Sequence, residues 1–394
     1  MKTSMMNWIE KYMPDDHRIN IISNQKMISI LFFSNFASLK KGGQRSLWYL
    51  LQGIDRTLCK LVLACQETGD LTEYASNNSI PVEILKTYSF RPSNLFKIIH
   101  LFCALHKIIN NYNIQIIHSE DLRIVFMAGL IRIYKPIKII WHVRVVLRSL
   151  FQKKIGIYLC DKIICVSKAS FDSFGNTKKT ALIHNGIDSS VYKPEKARIE
   201  TKLFCSGDVL IGYIGNMIES KGVHVLIKAM PEILKKYPRV KCLLVGKGKD
   251  EEYFRKLAVA LKIERNIIFW GEENNPKDLL NRMDIFCFPS FAEGLSRSLL
   301  EAMALEKPIV ASNIEGNTEL ILVNKTGLLF EKDNPNDLAE KIMQILDFPD
   351  FAKTIGAAAR IHVSENFKIS DTTKNVQSLY EELLNDLIEN LRSA

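Results

Sequence analysis

The sequence lacks most of the features that mark extracellular, metal-bound or membrane-spanning chains. Its eight cysteines, at 59, 65, 103, 160, 165, 205, 242 and 287, form no Cys-x-x-Cys pair and no Cys/His spacing of the zinc type. Several stand in apolar runs such as LVLAC and IICV, as expected of reduced, buried thiols in a cytoplasmic chain and not of a disulfide scaffold. No uncharged apolar stretch reaches the roughly 18 residues needed to span a bilayer. The opening MKTSMMNWIEKYMPDDHR has no apolar core of the signal-peptide kind. There is no internal repeat, low-complexity tract, Walker loop or G-x-G-x-x-G. No basic stripe interleaved with aromatics speaks for nucleic acid.

What is present is length and an uneven charge. The 394 residues exceed the roughly 250–300 at which a single core stops growing, so two domains are expected. The net charge of +10 divides unequally: 29 basic and 15 acidic residues up to Cys205 give +14, and 24 against 28 after it give −4. Such asymmetry points to an anionic partner for the first half, although a general preference for lysine gives the same excess.

Short β-branched runs recur through the first half: ISILFFS (28–34), KLVLAC (60–65), VEIL (82–85), IQIIHS (114–119), IKIIWHV (137–143), DKIICVS (161–167) and TALIHN (180–185). Stretches of helical period lie between them, and strands alternating with helices read as a parallel sheet covered on both faces. The pattern restarts at VLIGYIG (209–215) and continues through VKCLLVG, NIIFWG, DIFCFPS, KPIVAS and TGLLF to residue 330. The expected organisation is an extension over 1–25, a doubly wound α/β domain over 26–200, a second over 206–372, and a last helix over 373–394. Two such units facing each other make a cleft at the carboxyl ends of both sheets, where open α/β folds bind ligands.

Three segments lie in that cleft by this topology. Lys40-Lys41-Gly42-Gly43-Gln44-Arg45 follows the first strand and precedes a helix; paired glycines let backbone N–H groups approach a phosphate at a helix N-terminus, and an ordinary turn remains the alternative. Gly215-Asn216-Met217-Ile218-Glu219-Ser220-Lys221-Gly222 brings an ammonium to a sheet mouth, where it can neutralise a leaving diphosphate or lie solvated at the surface. PSFAEGLSRSLLEAMALEKPIVAS, residues 289–312, holds Glu293 and Glu301. If helical throughout, the eight-residue step from one to the other rises about 12 Å, which places the two carboxylates along one groove at two depths. That separation exceeds the roughly 5–9.5 Å of a glycosidase pair; it suits recognition of hydroxyls on a sugar at one end and a ribose at the other. Glu301 stands among Leu299, Leu300 and Met303, where an ionised group needs a partner.

His142 ends the IIWHV strand and points at the cleft, either to hydrogen-bond a transferred group or as a core histidine. Arg144 and Arg148 follow it and, with His118 at the end of the preceding strand, form the acceptor-side set; Glu120 lies near the same mouth. The stretch 91–112 carries Leu95, Ile98, Ile99, Phe102, Leu105, Ile108 and Ile109 at helical spacing with Lys97 and Lys107 between them. It reads as a helix packed on the sheet or a basic amphipathic helix on anionic lipid.

With the Gly-Gly loop, the G-x-x-x-x-x-K-G segment, E-x7-E inside EGLSRSLLEAMA, and EGNTELI with TGLLF, the chain resembles the retaining glycosyltransferases of the GT-B fold, family 4 type, over about residues 27–385. HNGID at 184–188 is similar to that family too. The resemblance implies a GT-B architecture of two Rossmann-like domains facing a central cleft, with the last helix crossing back onto the first domain. It implies that Lys221 holds the donor diphosphate, Glu301 the ribose, and Glu293 the donor sugar or its phosphate. Gly42 and Gly43 approach the diphosphate, and His142 the reacting sugar. Gly215, Asn216, Gly294, Leu295, Ser296 and Arg297 complete the donor site. Gly246 and the segment from Val245 to Gly248 flank the base, and the amides of Gly316, Asn317 and Thr318 close the phosphate cradle. No metal or other cofactor is implied.

One departure stands out: arginine usually follows the first glycine of the Lys221 segment, and here it is Asn216, an amide that cannot replace a bidentate cation. The implied partners are a nucleotide-sugar donor and a glycan or lipid-linked acceptor, with an anionic membrane surface on the inner face of the cytoplasmic membrane as a further contact. A nucleotide-sugar epimerase of the same architecture and a non-catalytic sugar-nucleotide-binding protein remain open from the sequence.

Overall fold

A computed structural model describes residues 27–147, 149–175, 177–195, 203–205, 207–273 and 275–392. The expected extension over 1–25, part of the linker, and Arg148 lie outside the described residues.

The apolar runs of the first half form seven strands: β1 (Ile28–Ser34), β2 (Cys59–Cys65), β3 (Val82–Ile84), β4 (Ile116–Ser119), β5 (Lys138–Val143), β6 (Lys162–Cys165) and β7 (Thr180–Leu182). All pair in parallel, in the order β3-β2-β1-β4-β5-β6-β7. The connecting helices are α1 (Gly42–Gly53), α2 (Asp70–Asn77), α3 (Leu95–Asn111), α4 (Leu122–Ile131), α5 (Leu150–Leu159) and α6 (Lys168–Asp172). Successive residues of each strand enter opposite cores, as the two-residue repeat of a strand requires. Leu31, Phe33, Ile117, Ile139 and Trp141 pack with Leu101, Leu105 and Ile108 of α3. Ile30, Phe32, Ile116 and Ile140 face Leu47, Leu50 and Leu51 of α1.

The second sheet runs β10-β9-β8-β11-β12-β13, from β8 (Val209–Ile214), β9 (Val240–Val245), β10 (Ile267–Gly271), β11 (Ile285–Phe288), β12 (Ile309–Ser312) and β13 (Leu328–Phe330). Its helices are α7 (Val223–Lys236), α8 (Glu251–Ala260), α9 (Lys277–Arg282), α10 (Arg297–Ala304), α11 (Glu315–Thr318), α12 (Pro335–Asp347) and α13 (Pro349–Asn366). In each sheet the strand order reverses beside the first strand, between β1 and β4 and between β8 and β11. Such switch points open a crevice at the carboxyl ends of the strands, and the loops after β1, β8 and β11 are the three segments singled out above.

The last helix, α14 (Ile369–Arg392), leaves the second domain and packs on α1, β1 and β5, burying Val376, Tyr380 and Leu383 in the first domain's core. The crossing is pinned at the HNGID segment. Ile187 N donates to Phe367 O at 2.7 Å and Ile369 N to Ile187 O at 3.2 Å. A Cβ on Gly186 would lie 2.4 Å from Ile369 Cα, so only glycine lets the two strands of chain approach. Six cysteines are buried and two, Cys103 and Cys205, are exposed; all are free thiols.

Candidate active site

The loop after β8 turns at Gly215 and Asn216, where the Tyr213 hydroxyl donates to Asn216 O at 3.0 Å. It ends in a single 3-10 turn, Glu219–Lys221, capped by Gly222 at φ +68°. A Cβ there would meet Pro289 O at 1.9 Å, so the loop after β11 lies directly on this one. That contact sets Lys221 against Glu293: Nζ donates to Oε1 at 2.6 Å, and Ser290 Oγ donates to the same oxygen at 2.6 Å. Both side chains keep some contact with solvent, 23% and 13%.

The helix containing Glu301 starts later than the uniform-helix expectation. α10 begins at Arg297 with Ser296 as its N-cap, so Glu293 stands in the loop and only Glu301 is helical. Glu301 is fully buried. The partner that its apolar neighbours require comes from the opposite domain: Arg45 Nη1 donates to Oε1 at 2.8 Å and to Oε2 at 3.0 Å. Arg297 Nε adds a bond to Oε1 at 3.1 Å. Burial pulls the Arg45 guanidinium down, but Glu301 outweighs it and the net shift is upward. Arg297 also donates from Nη1 to Gly186 O at 3.0 Å and stacks 4.3 Å above the Tyr49 ring. Its Nε and Nη1 are thus engaged with Glu301 and the interdomain crossing, while its Nη2 has no partner in the protein and the residue lines the cleft.

On the first-domain wall, α1 begins at Gly42 with no side-chain cap and no acidic residue in its first turn, which leaves an uncapped helix N-terminus at the cleft. Gly43 is tight against Arg144, whose Cδ would lie 3.2 Å from an added Cβ. Glu120 fixes this corner. Its Oε1 accepts from Ser34 Oγ (3.2 Å), Asn35 N (3.0 Å) and Gln44 Nε2 (2.8 Å), and Oε2 accepts from Arg144 Nε (3.1 Å). Burial lowers the Arg144 pKa despite that carboxylate. Lys40 and Glu272 meet at 3.3 Å across the mouth.

These walls enclose a cleft of about 470 Å³ that brings together Gly42, Gly43, Arg144, Gly215, Asn216, Lys221, Gly246, Glu293, Leu295, Ser296, Arg297 and Glu301. Gly294 lies instead at the domain contact, where an added Cβ would be 2.4 Å from Arg144 O. His118 and His142 do not line the cleft. They are 3% and 5% exposed; α14 packs on β1 and β5 and sets Tyr380 against His118. His118 Nδ1 lies 2.6 Å from the Tyr380 hydroxyl and its Nε2 lies 2.9 Å from His142 Nδ1. His118 is thus enclosed below the acceptor side and is not a surface for an acceptor. The phosphate cradle expected at Gly316–Thr318 is also corrected: the amides of Asn317 and Thr318 already donate to Ile314 O, and Gly316 packs behind Gly294.

Two roles appear only in the structure, Arg45 as the partner of Glu301 and Tyr380 as the partner of His118. Arg45 ends the segment singled out after the first strand, but nothing in the order of residues pairs it with a glutamate 256 positions away.

The family model for Glycosyltransferase Family 4 matches residues 40–191, and that for Glycosyl transferases group 1 matches residues 196–362. The capsular polysaccharide biosynthesis glycosyltransferase CapM of Staphylococcus aureus is 27% identical over 205 residues, 51% of this chain and 54% of that protein. The poly(ribitol-phosphate) alpha-N-acetylglucosaminyltransferase of S. aureus is 30% identical over 177 residues, 45% of this chain and 34% of that protein. The chain spans little more than half the length of the curated relatives it matches. The crystal structure of Anabaena HepE in complex with UDP-glucose superposes with a TM-score of 0.78 at 19% identity, covering 90% of this chain and all of that one, a likeness of fold. With two facing parallel sheets and matches to both of its halves, the chain belongs to the GT-B glycosyltransferases of group 1.

Proposed function

We propose that this protein is a retaining, metal-independent glycosyltransferase that moves a sugar from a UDP- or GDP-sugar to an acceptor on the first-domain side, a lipid-linked glycan in surface polysaccharide assembly. The observation that carries this reading is the pairing of both acidic residues of E-x7-E with cations at the switch points, Lys221 with Glu293 and Arg45 with Glu301. A sugar diphosphate presents the complementary chemistry: two phosphates for Lys221 and the uncapped start of α1, and hydroxyls for the carboxylates.

The carboxylates at the floor of the cleft are already held. Glu293 accepts from Lys221 and Ser290, Glu301 from Arg45 and Arg297, and Glu120 from four donors. None stands free as a covalent nucleophile, which supports front-face displacement: the leaving phosphate takes the acceptor proton while Lys221 stabilises the charge that develops on it. Purified protein incubated with UDP-glucose, UDP-N-acetylglucosamine, UDP-galactose and GDP-mannose, with and without a lipid-diphosphate sugar, tests this by mass spectrometry. Transfer with the anomeric configuration kept is the expected result. An altered donor sugar without an acceptor indicates an epimerase, and binding without turnover a non-catalytic protein.

Contact with an anionic membrane is part of the proposal. Residues 86–160 hold 12 basic and two acidic residues. On α3, Leu101, Leu105, Ile108 and Ile109 face the sheet, while Phe96 (87%) and Ile99 (50%) face outward. Ile133 (69%), Phe151 (73%) and Tyr158 (80%) continue the exposed apolar face beside Lys154. Among the described residues no helix is long and apolar enough to cross a membrane.

A further inference from the structure

Helix α5 turns its apolar residues outward. A surface helix normally sets its apolar stripe against the core, yet of the ten residues of α5, LFQKKIGIYL, only Gly156 is buried. Leu150, Phe151 and Tyr158 are exposed. Between α5 and α4 lies a trough of about 750 Å³. Phe126, Leu130 and Ile133 line it from α4 and the turn that follows, and Phe151, Ile155 and Tyr158 line it from α5. Gly129 lies on its floor, where an added Cβ would come 2.8 Å from Leu159 Cδ2. Glycine is a poor helix former, and its place inside α4 is set by this approach of the two helices.

The charges at the trough have one sign. Among the described residues its charged lining is Arg132, anchored by Asp161 at 3.1 Å, and the exposed Lys154. An apolar trough edged by cations, with no carboxylate in its lining, complements a hydrocarbon chain that carries an anionic head. A peptide in the same place would need partners for its backbone N–H and C=O groups, and those of α4 and α5 are spent within the helices. A concave wall also covers a chain on more than one side, which a flat membrane contact does not require.

The trough is within reach of the cleft. Arg144 and Val145 line the cleft, and Val145 and Val146 are exposed ahead of α5. The six-residue step from Val145 to Phe151 spans at most about 22 Å. A lipid whose head enters the cleft can therefore lay its chain along this apolar strip and into the trough.

We infer that the trough between α4 and α5 binds the hydrocarbon chain of a phosphorylated lipid, the acceptor whose head lies in the cleft. The acceptor role rests on the glycosyltransferase reading; capture of the chain is a property of the free protein. It makes chain length a determinant of acceptor choice, separate from attachment of the first domain to a membrane surface.

Octyl, decyl and dodecyl phosphate, each below its micelle concentration, can be titrated into the full-length protein by calorimetry. Affinity is expected to rise about tenfold for each added pair of methylenes, and inorganic phosphate is expected not to compete. Affinity that does not grow with chain length overturns the inference. Dodecyl phosphate with a diazirine at the end of its chain is expected to label peptides covering 126–133 and 151–159 of the unaltered protein, and labelling confined to other regions overturns it as well. Leu130→Trp fills the trough but keeps the surface apolar. It is expected to weaken dodecyl phosphate binding at least tenfold and to leave sedimentation with phosphatidylglycerol vesicles unchanged; unweakened binding, or loss of both together, identifies a membrane-inserting patch and not a chain site. With whichever nucleotide sugar is turned over, KM for a lipid-diphosphate sugar is expected to be at least tenfold lower with a farnesyl chain than with a butyl chain, and equal values overturn the assignment of the chain to the acceptor. If no sugar is transferred, the glycosyltransferase reading fails while the chain-length series and the labelling still decide the trough.

Discussion

Arg45 of the first domain grips both oxygens of Glu301 of the second, at 2.8 and 3.0 Å, with the carboxylate fully excluded from solvent. Taking two charges out of water is costly, and removing one leaves the other uncompensated, a loss of about 3–5 kcal/mol for a buried pair. Arg45→Ala and Glu301→Ala are each expected to lower stability by about 3 kcal/mol in urea unfolding. The double variant should lose less than the sum, because the pair is already broken by either change. Additive losses would show that the contact does not tie the domains together.

Lys221 and Glu293 differ from that pair in being partly hydrated, so their contribution to stability is small, about 0–1 kcal/mol. Their effect should fall on chemistry. Lys221→Ala and Glu293→Gln are expected to reduce sugar transfer by about 100-fold or more, the scale set by losing one preorganised electrostatic contact, with the unfolding midpoint nearly unchanged. Retained transfer in either variant removes that residue from the proposed mechanism.

The parts of the site that could be read in the sequence are those fixed by local order. Strand-loop-helix junctions place Gly43, Lys221 and Glu293 at sheet mouths whatever the details of packing, and the apolar setting of Glu301 announces that it has a partner. The identity of that partner could not be read, because Arg45 sits in the first turn of α1, in a segment whose glycines and lysines already suit phosphate. The hydrogen-bonded chain that encloses His142 was equally hidden. It depends on Tyr380, which comes within reach of His118 only after α14 has crossed from one domain to the other, 262 residues along the chain. Helix ends shifted for a local reason: Ser296 caps α10, so the segment from Glu293 to Leu295 is loop.

Asn216 lines the cleft beside Lys221, and two of the three guanidinium nitrogens of Arg297 are bound to Glu301 and Gly186. Restoring a cation at this position should therefore add a contact to a bound diphosphate. Asn216→Arg is expected to tighten UDP binding about tenfold by calorimetry, equivalent to about 1.4 kcal/mol, within the range of a charge-assisted hydrogen bond. An unchanged or weaker affinity would mean that Lys247 or another cleft cation already fills that role.

The outward faces of α3 and α5, with the turn after α4, combine exposed Phe96, Ile133, Phe151 and Tyr158 with Lys97, Lys107 and Lys154. Insertion of aromatic side chains and attraction to anionic headgroups make separable contributions. Each basic residue near such a surface contributes about 1 kcal/mol, and this term shrinks as the Debye length falls from about 10 Å at 0.1 M salt to about 3 Å at 1 M. The protein is therefore expected to sediment with vesicles containing phosphatidylglycerol at 0.1 M salt and largely to be released at 1 M. Lys97→Glu with Lys154→Glu should abolish most binding at low salt. Phe151→Ser should weaken binding without altering its slope with salt, because it removes apolar contact and leaves the charge unchanged. Equal binding to neutral phosphatidylcholine vesicles would show that the excess of basic residues in the first half does not serve a membrane.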